Sequence, residues 1–322
     1  MSYKFQTKIA KLSSIHSGIF FILVITTVIL SKKISFSDTS FITITCFFLI
    51  STLGVLHGSL DNFKGEKLLR IYKIKHKFLF YFSYIFLACS VIIIWKFLPS
   101  LALLLFLVVA SYHFGKEDTE LFLFTNYAKQ GVKFYGKYTI SYYFFIFFKG
   151  FLIITAPLFY HYQETQDIFK ILNSNFSLHE DFIAIFFYFS VYAYIHFNFI
   201  LNINNYGGGA TIIDGTSILL LNYFFSPLIA FTLYFCFLHS VRHSMSLIST
   251  LDKKHFKKGT QKFIKKALPL TLVTTILFVV IVYYLTNYYV LDDAILKVIF
   301  IGLASLTFPH ILLEYLLEKN EK

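Results

Sequence analysis

Charge is scarce in this sequence. Of its 322 residues, 14% are Asp, Glu, Lys or Arg, while 57% are hydrophobic and 20% aromatic. Soluble domains carry roughly a quarter charged residues, so a water-soluble globule is excluded. Apolar stretches of roughly 17–25 residues, the length that crosses a bilayer, recur from end to end. Cysteine is scarce too. Cys46, Cys89 and Cys236 lie apart in apolar segments, which excludes a disulfide framework and a thiolate metal site. Glycine is too thin for a phosphate-binding loop: "NNYGGGA" (204–210) has few glycines, misplaced for that motif. No small-residue cleavage site follows the first apolar run, "GIFFILVITTVIL", only "SKKISF". That run is expected to stay as a first span rather than leave as a signal peptide. No internal repeat is present.

What is there fits a single integral membrane domain over residues 1–322. In lipid every backbone polar group needs an internal partner, which leaves helices or a closed barrel. The apolar runs are continuous rather than alternating. The expected fold class is therefore all-α, a polytopic transmembrane helical bundle of eight to ten spans. Ten are placed near 15–31, 41–57, 78–95, 98–114, 140–160, 181–202, 210–224, 228–245, 267–286 and 294–313. Pro227 separates the seventh from the eighth, because the residue before proline is biased away from helix.

The net charge of +12 sits in the N-terminus, 64–77, 116–137, 253–266 and the tail. Ten spans put all of these on one side, the cytoplasmic face of the cell membrane, with both termini there. Nine spans would move 253–266 outside. Lys32 and Lys33 are the exception. Lysines placed this way account for the basic balance without a nucleic-acid partner.

Histidine is where chemistry gathers. His57 closes the second span, His113 the fourth, His239 and His243 the eighth, and His310 the last, all at one depth. In "FCFLHSVRHSM" (235–245) His239 and His243 stand four apart and share a helix face. Such a pair is a two-nitrogen clamp suited to zinc, copper, iron or nickel. A lone histidine at a helix end more simply caps carbonyls. Five at matched depth read better as a metal site, since ionisable groups inside membranes are costly and default to function. Asp61, four after His57, and Asp118, five after His113, are candidates to take the second N–H of a ligating imidazole. Gly54, Gly58 and Gly115 beside them would let helices converge. His16, His76, His161, His179 and His255, in loops or at span edges, read as interfacial residues, and His196 has no assigned role. Lys149, mid-span, would snorkel or meet Asp214.

The blocks "GVLHGSLDN", "YHFGKED", "KGFLIITAPLFYH", "FCFLHSVRH" and "FPHILLE" occur in that order between residues 54 and 314. As an ordered set they resemble the Brp/Blh family of membrane β-carotene 15,15′-dioxygenases. The first block departs mildly, with Val55 and Leu56 where the family often has a proline. The resemblance implies a non-haem Fe(2+) held by His57, His113, His239 and His243, with His310 as a further ligand or a supporting residue. It implies O2 and β-carotene as substrates, cleavage at the central double bond to two retinals, and a multi-pass protein in the lipid bilayer. A retinal-binding rhodopsin would be a natural partner.

Two rival classes, another membrane metal-oxygenase and a protein without oxygenase activity, fit less well. Membrane desaturases and carotenoid hydroxylases rely on boxes with adjacent histidines, whereas this chain has one HxxxH and no His–His pair. A transporter should show repeated halves or polar breaks at mid-membrane, and here the polar groups gather at one side. A non-catalytic accessory protein would be expected to lose ligands that this chain keeps.

Overall fold

A computed structural model describes residues 3–33, 39–129, 140–200 and 208–320; the side chains of residues 3–7, 57, 120, 121 and 123–129 lie outside that description. Every regular element among the described residues is helical. The order is α1 (Tyr3–Ser31), α2 (Thr39–Leu49), a π segment (Ile50–Gly54), a 3-10 segment (Val55–Leu60), α3 (Asp61–Ile71), α4 (Lys77–Phe97), α5 (Pro99–Lys129), α6 (Ile140–Tyr160), α7 (Tyr162–Ile171) and α8 (Glu180–Ile200). There follow α9 (Gly208–Phe224), α10 (Pro227–Leu233), a second π segment (Tyr234–Ser240), α11 (Val241–Leu251), α12 (Phe256–Leu285) and α13 (Leu291–Asn320).

Eight helices among the described residues are long and apolar enough to cross a membrane. The other two expected spans are α9 and the composite α10–π–α11, which run through the middle of the bundle. Buried residues from α9 through α10 to the start of the second π segment (Ile218, Leu221, Phe225, Ala230, Tyr234) form one apolar cluster with Phe20 and Val24 of α1, Phe114 of α5 and Ile299 of α13. The break falls at Ser226–Pro227, as the proline requires: Ser226 is extended, with ψ 156°, and Pro227 opens α10.

Several helices outrun their expected ends. The aqueous segment expected at 253–266 is mostly the first turns of α12, and α5, α11 and α13 continue past His113, His243 and His310. Those histidines therefore lie inside helices and not at their ends. The apolar run marks only the lipid-crossing part, and hydrogen bonding carries the helix on into polar sequence. His16, expected at a span edge, lies inside α1, whereas His76, His161 and His255 do precede helices. His196 is exposed on α8, stacked on Tyr192.

Two close crossings bring the helices of the site together. At Gly115 a Cβ would stand 1.6 Å from the Ile146 carbonyl oxygen, and at Gly150 one would stand 1.7 Å from that of Ser111. The backbones of α5 and α6 touch there, which only glycine permits. At Gly54 a Cβ would meet the Phe235 ring at 2.6 Å, so the two π segments cross on that glycine. Gly58 departs from expectation: nothing lies within 4 Å of a Cβ there, and the residue lines open space. Carbonyls around the first π segment find partners in neighbouring helices, Leu53 from the Ser240 hydroxyl at 2.5 Å and Ser51 from Thr275 at 2.7 Å. In lipid such groups must be satisfied internally.

Candidate metal centre

α5, α13 and the second π segment each bring a buried histidine to one point. The His113 ring lies 5.4 Å from that of His239 and 5.3 Å from that of His310, centroid to centroid. His243, one turn further along, is 6.0 Å from His310. The backbone of His57 belongs to the neighbouring 3-10 segment, but its side chain lies outside the described residues.

Each of three imidazoles is held by its own carboxylate. His239 Nδ1 donates to Asp118 Oδ1 at 3.1 Å, His310 Nδ1 to Asp61 Oδ2 at 2.8 Å, and His243 Nδ1 to Glu117 Oε2 at 2.5 Å. An ionised carboxylate can only accept, so the hydrogen sits on Nδ1 and the tautomer is fixed. Nε2 becomes the nitrogen each ring can offer to a ligand. For His310 and His243 it stands 3.6 and 3.7 Å from Glu314 Oε1.

Two of the carboxylates are themselves fixed by a tyrosine. Tyr84 donates to Asp61 at 2.8 Å and Tyr234 to Asp118 at 2.7 Å. Two His–Asp–Tyr chains therefore flank His113.

The pairing of Asp118 differs from the sequence expectation. Five residues along a helix is about 140° around its axis from His113, so Asp118 points off that histidine's face and receives His239 instead. Glu117, four residues on and about 40° away, shares the His113 face. Asp61 orients His310 of α13; its relation to His57 falls outside the described residues.

Sequence reasoning missed Glu117, Glu314, Tyr84 and Tyr234. The two glutamates carried a signal. Each lies four residues after a histidine, in "HFGKE" and "HILLE", as His243 follows His239 and Asp61 follows His57. The repeated i, i+4 spacing builds a second tier one turn below the first. There Lys64 bonds Glu314 at 2.6 Å, and Lys116 pairs with Glu318. The tyrosines lie on other helices with no fixed spacing, so nothing local marked them.

As a donor set the cluster suits a borderline transition metal: imidazole nitrogens with carboxylates and no thiolate. Ligand atoms of His113, His310 and Glu314 lie within 4.8 Å of one another, as do those of Glu117, His243 and Glu314. The carboxylate–imidazole pairs are the outer support that metal-bound histidines usually have. The residues therefore fit a metal.

Behind this cluster lies a buried ion network that the sequence hinted at through Lys149. Its Nζ is 3.2 Å from Asp214, which also takes both guanidinium nitrogens of Arg242, at 2.5 and 3.0 Å. Arg242 also donates to the Asp118 carbonyl at 3.1 Å and to Ser17 at 2.7 Å. Lys149 thus meets Asp214 and does not snorkel.

In front lies a cavity of about 730 Å³ between α4, α12 and α13. Its wall is overwhelmingly apolar, and His113, His310, Asp61 and Tyr84 reach into it. Of its lining residues Ile85, Val273 and Leu277 are more than half exposed, so the slot opens on the lipid-facing side. The helices that frame the opening are the least embedded, with 6% of α4 and 17% of α12 buried over their apolar windows against 61% for α6.

No solved structure matches the chain. A curated "Beta-carotene 15,15'-dioxygenase" from Uncultured marine bacterium 66A03 is 28% identical over 271 residues, 82% of this chain and 90% of that protein. The family model described as "Beta-carotene 15,15'-dioxygenase" matches residues 48–318, a stretch that takes in every histidine and carboxylate of the cluster. By that match the chain belongs to the β-carotene 15,15′-dioxygenase family.

Proposed function

We propose that the protein cleaves β-carotene at its central 15,15′ double bond with O2, giving two molecules of all-trans-retinal at a non-haem Fe(2+) held by histidines. The observation that carries this reading is the apolar, lipid-facing slot that ends on the histidine cluster. A polyene dissolved in the bilayer would enter sideways between α4 and α12. His57, His113, His239 and His243 are the proposed ligands. The contacts of His310 with His113 and Glu314 support adding it to the set.

Bound there, ferrous iron would supply the redox chemistry that joins dioxygen to an alkene. The rest falls to this chain. Asp118, Asp61 and Glu117 keep a hydrogen on each Nδ1 and so present Nε2 to the metal. Tyr84 and Tyr234 stop Asp61 and Asp118 from swinging. The apolar wall orients the polyene and excludes water. Both oxygen atoms end in the two new aldehydes, so no other reductant is needed.

The test is chromatography of membranes or purified protein supplied with β-carotene, O2 and iron. Retinal as the sole product, two per β-carotene consumed, is expected. Only longer apocarotenals would sink central cleavage, and unchanged β-carotene would favour an accessory role in rhodopsin biogenesis.

A further inference from the structure

Two voids reach the histidine cluster, and Phe114 belongs to the wall of both. One is the slot of about 730 Å³; the other is a chamber of about 90 Å³, enclosed by α5, α6, α7, α9 and α10 with Tyr234 and Phe300. They lie side by side. The slot wall runs from Tyr84 to Lys96 on α4 and the chamber wall from Phe114 to Leu103 on α5, toward the same end of the antiparallel α4–α5 pair. His113 and His310 line the slot, and His239 does not. It is against His239 that the chamber ends: the Phe114 ring stands 4.8 Å from His239 and the Tyr234 ring 6.2 Å, centroid to centroid. Slot and chamber thus approach the cluster on different histidines.

The chamber presents hydrocarbon. Leu103, Leu107, Ala110, Ile153 and Ile218 supply much of its wall. Its polar side chains donate elsewhere: Thr165 to the Pro157 carbonyl, Asn222 to that of Ile218 and Tyr234 to Asp118. A water would need about two to four polar partners to settle there, and apolar voids of this kind stay dry and take up small apolar guests such as xenon. At the Leu103 end α7 closes the chamber, with Thr165, Ile168 and Phe169 facing in and Gln163, Glu164 and Asp167 exposed on its other side. At about 90 Å³ the chamber is far below the roughly 300–1,000 Å³ of a ligand pocket, so a carotenoid is excluded. It is several times the roughly 10–15 Å³ that suffices for one molecule the size of water, which leaves room for a diatomic gas.

A polyene lying in the slot covers the histidines that line it. The reaction still needs dioxygen, an apolar molecule that favours hydrocarbon over water. Resting on the carotenoid-cleavage reading above, we propose that the chamber behind Phe114 holds dioxygen and delivers it past the Phe114 ring to the His239 side of the cluster. Polyene and gas then arrive by separate, parallel routes, and neither has to leave for the other to enter. Phe114 is the partition that keeps the polyene out of the chamber.

The experiment separates the two substrates. Purified full-length wild type is compared with Ala230→Leu, which fills the chamber, and Ala88→Phe, which narrows the slot. Retinal formation is followed against oxygen pressure and against β-carotene. Ala230→Leu is expected to raise KM for O2 about tenfold and to leave KM for β-carotene within about twofold of wild type, and Ala88→Phe to do the reverse. A KM for O2 that is unchanged in Ala230→Leu, or raised equally with that for β-carotene, overturns the proposal. Xenon gives a readout that needs neither turnover nor a variant, and it decides the matter if Ala230→Leu does not fold. Wild-type crystals under xenon should hold the gas in the chamber, and xenon should inhibit in competition with O2 and not with β-carotene. Wild type that makes retinal but holds no xenon in the chamber overturns the proposal alone. Wild type that holds xenon there and makes no retinal sinks the cleavage reading, and the role given to the chamber goes with it.

Discussion

Asp118→Asn is the sharpest perturbation of the site, because it keeps the shape and removes one charge. In the structure Asp118 accepts from His239 Nδ1 at 3.1 Å and from Tyr234 at 2.7 Å, and it is 2% exposed. An amide keeps only one accepting oxygen. A hydrogen bond to an ionised group contributes about 1.5–3 kcal/mol, against about 0.5–1.5 for a neutral one. The loss should be about 1–2 kcal/mol, or about 5–30-fold in iron affinity, overlapping the range of about 10–100-fold for outer partners of metal-bound histidines. Tyr234→Phe removes only the outer donor and should cost less than about tenfold. The assay is titration of iron into chelator-stripped protein in detergent, with retinal formation as a second readout. A background test separates the two possible pairings. In metal-free His239→Ala protein, Asp118→Asn should lose most of its effect on stability, because the partner is gone. In a His113→Ala background the effect should persist. Folded Asp118→Asn with wild-type iron affinity and turnover would refute the reasoning, and so would an effect that depends on His113 and not on His239.

Gly115→Ala should lower the melting temperature in detergent, at an overpacking cost of about 1–3 kcal/mol or more, because its Cβ would sit 1.6 Å from a carbonyl oxygen. Gly58→Ala meets nothing and should stay within about 0.5 kcal/mol of wild type; equal effects would mean that α5 and α6 do not touch as described. Asp214→Ala strands Arg242 and Lys149 without their shared acid, and breaking a buried pair in this way costs about 3–5 kcal/mol. Lys149→Met should cost less, since Arg242 still holds Asp214, and chemical unfolding that ranks the two the other way would overturn the network. Reporter fusions should read outside after residue 225 and inside after residue 255. The same side for both would mean that α9 and α10–α11 do not cross separately.

The sequence alone determined the solvent, the fold class and most of the histidines that the fold gathers into one cluster. Sparse charge and long apolar runs force helices, because lipid gives a backbone no other partner, and Pro227 marked a real break because its ring forbids helix at the residue before it. His113, His239, His243 and His310 could be picked out because ionisable groups within apolar helices are rare enough to need a reason. Spacing along one helix was legible too, and with it Glu117 and Glu314 could have been found. Tertiary structure decided which helix faces which. Asp118 serves His239 and not its own neighbour His113, because a five-residue offset turns it toward a different helix. Tyr84, Tyr234 and the Arg242–Asp214–Lys149 network come from separate helices, and no periodicity connects them. The slot is a space between packed elements, so it exists only once the helices are set against one another.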